Sequence, residues 1–97
     1  PKNEEAPDSE KVFVPYALAV DRANHLYVTD FGQFRVQKYD RDGRYLETFG
    51  GLGRALGQFA RPKGISVDHE ENLYVVDAAF ENVQMFDKDG NLLMFFG

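Results

Sequence analysis

The 97-residue sequence predicts an all-β protein made of two four-stranded antiparallel sheets, and three observations carry that prediction. The first is a repeat. Shifting the chain by 47 positions aligns residues 15–50 with 62–97 without a gap, and 15 of the 36 aligned residues are identical, far above chance. The second is the content of each copy: four short segments rich in Val, Leu, Tyr and Phe, separated by Asp, Asn and Gly. The third is negative. No segment places its apolar residues at the 3.6-residue spacing of a helix.

The elements follow in order. Residues 1–11 are acidic, contain Pro and lie outside the repeat, so they are expected to form a disordered leader. The first unit spans 12–50, with strands expected at 17–20, 26–29, 35–39 and 45–49. Ala17 and Ala19 fall on one side of its first strand, small enough for a neighbour to approach closely. Asp42-Gly43 marks the last hairpin, expected as a type I′ turn because Gly and Asp tolerate positive φ. A Gly-rich connection, 51–61, leads to the second unit, 62–97, with strands at 64–67, 73–76, 82–86 and 92–96 and the matching Asp89-Gly90.

Four antiparallel strands recurring at this period are the signature of β-propeller blades. The motifs narrow it further. PYALAVD answers PKGISVD, LYVTD answers LYVVD, VQKYDRDG answers VQMFDKDG, and each copy ends in Phe-Gly. This pattern resembles the NHL repeat, and the first copy contains Asn24-His25-Leu26 itself; the second departs from it, reading Asn72-Leu73 without the His. The resemblance covers residues 12–97. It implies a partial six-bladed NHL-type propeller, of which this chain is one third. It also implies a non-catalytic protein-binding or scaffold module in an extracytoplasmic setting: periplasm, cell surface or secreted. Two alternatives share the fold: a piece of a six-bladed lyase or hydrolase completed by other blades, and an RNA-binding NHL domain.

Composition bears on these classes. A net charge of −5 argues against a nucleic-acid partner, which needs a basic footprint. No apolar run approaches membrane-spanning length. The absence of Cys removes disulfides, thiol catalysis and cysteine zinc sites. The stretch Gly50–Gly57 fits neither the dinucleotide fingerprint nor the phosphate loop. Asp40–Gly43 and Asp87–Gly90 lack the later calcium ligands of an EF-hand. His25 and His69 belong to turns at non-equivalent repeat positions, without convergent partners. Asp30 and Asp77, each closing a second strand, read as caps for loop N–H groups. No catalytic residue, metal or cofactor is expected, and the first strands offer a central channel only Ala17, Ala19, Gly64 and Ser66, poor ligands for a metal.

What remains are loop residues that differ between the copies. Phe31, Gln33, Phe34 and Arg35 in the first unit, and Phe80, Glu81 and Asn82 in the second, are candidates for partner binding, flanked by Arg54, Arg61, Tyr16 and Lys63. Aromatic rings with Arg are a usual composition for a protein-binding surface. The second expected partner is further blades, of the same chain or of other copies forming a trimer. The outward side of the first unit, with Leu18, Val28 or Tyr27, is expected to seek the outward side of a second-unit equivalent.

Overall fold

The computed structural model describes residues 7–50 and 59–97. They form eight strands in two separate sheets: β1 (Pro15–Val20), β2 (Leu26–Asp30), β3 (Arg35–Tyr39) and β4 (Tyr45–Gly50), then β5 (Pro62–Val67), β6 (Leu73–Asp77), β7 (Asn82–Phe86) and β8 (Leu92–Phe96). Each sheet is an antiparallel meander in chain order. The chain is therefore all-β, with two four-stranded antiparallel units at the 47-residue spacing of the repeat. β1 and β5 begin two residues earlier than the alternation predicts. Pro15 pairs with Asp30 and Pro62 with Asp77, each across a register shift, and Pro is tolerated at the first residue of a strand.

Register decides which side chains meet the other sheet. Ala19, Tyr27, Lys38 and Glu47 lie opposite one another across the first sheet, and Thr29, Val36 and Phe49 continue the same side. That side faces the second sheet. Tyr27, Val36 and Phe49 pack with Leu73, Val75 and Phe86, and the ring of Phe59 is enclosed among them. Phe86 meets both Phe49 and Phe59 edge-on, with centroids 5.8 Å apart in each pair. β1 and β2 lie against β5, so the small side chains of Ala17 and Ala19 let the innermost strands approach. Tyr27, expected on the outward side, is buried in this contact instead: it directly precedes Val28, and alternation sends consecutive residues to opposite sides.

Gly50 ends β4 directly beneath the ring of Phe59. Its φ is +81°, and a Cβ there would stand 2.2 Å from the Phe59 ring, so Gly is required by conformation and by space.

The four hairpins that join β1 to β2, β3 to β4, β5 to β6 and β7 to β8 use one turn. The Asp at its start accepts, through Oδ1, the N–H groups two and four residues on: Asp21 from Ala23 and His25, Asp40 from Asp42 and Arg44, Asp68 from Glu70 and Asn72, Asp87 from Asp89 and Asn91. One residue in each turn adopts positive φ: Asn24, Gly43, Glu71 and Gly90. The expected type I′ turn, which needs two such residues, is not formed. The Asp carboxylate holds a longer turn that requires only one.

Residues 1–6 of the expected leader lie outside the described residues, and the rest of it is held against the first sheet. Asp8–Glu10 form a 3-10 turn. Its carbonyls accept from the outward side of β3: Ser9 from Gln37 at 2.9 Å, Glu10 from the Tyr39 hydroxyl at 2.7 Å, and Asp8 and Ser9 from Arg35. A polar segment with little apolar content is held here because the sheet supplies the donors.

Candidate partner-binding face

The ends of the sheets opposite the Asp-anchored hairpins carry the residues that differ between copies. The backbone beneath them is the same in both. Asp30 and Asp77 are fully buried. Asp30 accepts N–H groups of Phe13, Val14, Gly32 and Gln33, while Asp77 accepts those of Ala60, Arg61, Ala79 and Phe80. Each carboxylate ties the segment entering its unit to the loop after the second strand, the capping role expected from sequence. The residue ending each loop, Phe34 or Glu81, has positive φ, 59° and 55°. This conformation is uncommon for a side chain of any size and unusual for an aromatic one.

On that frame the predicted candidates separate. Phe31 is half-buried and packs against Tyr16 of β1, centroids 6.2 Å apart. Lys63 of β5 reaches over the same Tyr16 ring at 5.3 Å. Tyr16 is 57% exposed, so this aromatic and cationic group opens to solvent and draws on both units. Gln33, Glu81 and Arg61 are exposed, while Phe34, Phe80 and Asn82 are half-buried. Arg54 lies outside the described residues. Arg35 is turned away from any partner: only 12% of its side chain is exposed, it lies 3.6 Å from Asp30, and its guanidinium donates to the carbonyls of Asp8, Ser9 and Lys11. Its position at the first residue of β3 points it to the outward side of the sheet, where the leader lies.

Sequence spacing did not reveal one cluster at the hairpin end. Glu71 of the second unit comes within 4.8 Å of Asp21 and His25 of the first. Asp21 Oδ2 accepts from His25 Nδ1 at 2.9 Å and from the Tyr27 hydroxyl at 3.1 Å, and its Oδ1 already serves the turn. Burial of Asp21 works against its charge, but hydrogen bonds from the backbone and ring of His25 and from Tyr27 outweigh it, leaving its carboxyl below the usual value. The same contacts, burial first, push the Tyr27 hydroxyl far up. With four hydrogen bonds accepted, the Asp21 carboxylate has no lone-pair direction left for a cation. Asn72 stands where His25 does in the repeat and donates likewise to Asp68, so His25 acts here as a turn-fixing donor. No helix among the described residues is long and apolar enough to cross a membrane.

Compared with family models and with curated proteins, the chain matches none at a significant level.

Proposed function

We propose that the chain is a non-catalytic protein-binding or scaffold module, two blades of an NHL-type propeller of six, acting outside the cytoplasm. The supporting observation is the Tyr16–Phe31–Lys63 group. It is exposed, combines two rings with a cation, bridges the two sheets, and stands on loops pinned by Asp30 and Asp77. A pre-organised backbone with variable side chains is what a recognition surface needs, because little ordering entropy is lost on binding. Lys63 and Arg61 bring positive charge to this edge of an otherwise acidic molecule, which favours a protein partner with acidic and apolar groups.

The test is capture by photo-crosslinking from extracytoplasmic extract, using the whole chain with a crosslinker at Gln33. A defined partner band is expected. Tyr16→Ala with Phe31→Ala should reduce it at least tenfold, the loss of two aromatic contacts at an interface centre. Arg41→Ala with Lys88→Ala, at the hairpin end, should leave it unchanged. Equal loss from both pairs, or from neither, overturns the assignment of the face.

A further inference from the structure

The two sheets of this chain meet through one side of the first and one side of the second, and the 47-residue repeat displays a second copy of each of those sides, unpaired. Tyr27, Val36 and Phe49, which the first sheet presents inward, correspond to Tyr74, Val83 and Phe96. All three residue types are retained. In the second sheet these lie on the side away from the first, where Phe96 is 49% exposed and Val76 and Met94 are exposed beside it. Leu73, Val75, Phe86 and Phe59, which receive the first set, correspond to Leu26, Val28, Tyr39 and Val12. Those four line an apolar groove of about 270 Å3 on the outward side of the first sheet, together with Leu18 and Gly43.

The groove thus has the outline of the internal contact with one partner removed. Gly43 fits the same scheme. Its equivalent, Gly90, faces the carboxylate of Glu47, and the residue equivalent to Glu47 is Met94. Lys38 and Glu47, the charged pair of the internal contact, become Met85 and Met94, so no charge has to leave water when the outward side of the second sheet is covered. The ordered leader does not block the groove's inner edge. It crosses β3, at Arg35, Gln37 and Tyr39, where Tyr39 and the neighbouring Val28 are already buried, and leaves Leu18 of β1 64% exposed and Leu26 of β2 half-buried at the open edge.

We infer that the outward side of the second sheet of one copy, through Tyr74, Val83, Phe96 and Met94, docks head-to-tail into the groove lined by Leu18, Leu26, Val28 and Tyr39 on the first sheet of another copy. The surfaces differ, so the contact is heterologous and repeats until a ring closes or a chain grows. This rests on the fold and the repeat, and stands apart from the partner assigned to the loop face.

Light scattering on the full chain tests it at about 100 µM, well above micromolar dissociation constants. The expected mass is an integer multiple, two or more, of 11.1 kDa. Leu18→Glu spoils only the groove and Phe96→Glu only the knob, and both residues are exposed enough to keep the far-UV signature of the sheets. Each variant alone should fall to the mass of one chain, and an equimolar mixture should rise twofold, because one intact groove and one intact knob remain between them. Should a Glu variant lose its sheet signature, Leu18→Thr and Phe96→Thr, polar and β-branched, replace the pair with the same expectation. A single-chain mass for the unmodified protein overturns the inference, and leaves the groove to a different occupant such as a blade of a longer polypeptide. A variant that keeps the unmodified mass, or a mixture that stays at one chain, overturns it equally.

Discussion

Phe49 and Phe96 occupy the same place in the two copies of the repeat, yet Phe49 is 2% exposed and Phe96 49%. Thr29 and Val76 differ in the same direction, 0% against 43%. Local sequence does not explain this, since Phe49 and Phe96 share strand, register and residue type. The difference is what lies across from them. One sheet has a neighbour on that side and the other does not, so burial here is a property of stacking and the strand pattern merely permits it. Residues that keep their identity while losing their cover point to an interface, as Tyr74, Val83 and Phe96 do.

The largest expected effect sharpens that contrast. In dilute solution, where chains are separate, Phe49→Ala should destabilise by about 3–5 kcal/mol, the usual loss for a buried Phe. Phe96→Ala should lose no more than about 1 kcal/mol, because half of its surface already meets water. Urea denaturation of both variants checks this. Equal losses would break the comparison, showing that the outward side is held from within its own sheet.

A smaller effect contrasts the two hairpin turns opened by Asp21 and Asp68. Each carboxyl titrates below its ordinary value near 3.8. For Asp21 burial opposes the charge and hydrogen bonds from His25 and Tyr27 prevail; for Asp68 the Asn72 backbone N–H contributes most. A group depressed in the folded state contributes stability that is complete above its unfolded value and is lost as the pH falls through the lower folded one. Stability should therefore be steady toward pH 5 and fall below about pH 4. Asp21→Asn should cost about 1–2 kcal/mol at neutral pH and flatten the acid limb, since its side chain is fully enclosed. Asp68→Asn should flatten it less. Urea midpoints collected from pH 2 to 7 read both slopes, and a steeper limb in Asp21→Asn would contradict the assigned sign.

Much of this architecture is legible in the residues. The strands Arg35–Tyr39, Asn82–Phe86 and Leu92–Phe96 fall where alternation places them, and the capping by Asp30 and Asp77 follows from Asp at strand ends. Three things are not legible, each for a physical reason. Alternation separates two sides but does not say which is covered, and both sides of the first sheet carry apolar residues, so the residues alone do not decide whether Tyr27 or Val28 faces the neighbouring sheet. Arg35 reads as a loop cation because its acceptors are backbone carbonyls of Asp8, Ser9 and Lys11, which have no side-chain signature. The approach of Glu71 to Asp21 and His25 depends on how two sheets stack, which spacing within either copy does not encode. The Tyr16–Phe31–Lys63 group was half legible: its residue types stood out, but its joining across two units required the packing of β1 on β5.

The smallest effect asks whether Phe34 belongs to the fold or to the surface. Phe34 and Glu81 hold matching positions at φ 59° and 55°, where an L-residue is strained by about 1–2 kcal/mol and Gly is not. Gly in turn lowers stability by about 0.5–1 kcal/mol through the freedom of the unfolded chain, so the net gain from either substitution is about 0.5 kcal/mol. Glu81 is exposed, and Glu81→Gly should show that gain as a rise of roughly 2–4 °C in Tm. Phe34→Gly should show the same rise if its ring serves a partner, because nothing inside the chain is then lost. If the half-buried ring packs instead, the lost contact exceeds the relieved strain and Tm falls. Matched melting curves of the two variants separate these outcomes, and a fall for Phe34→Gly alone would remove Phe34 from the binding face while leaving Tyr16, Phe31 and Lys63 in place.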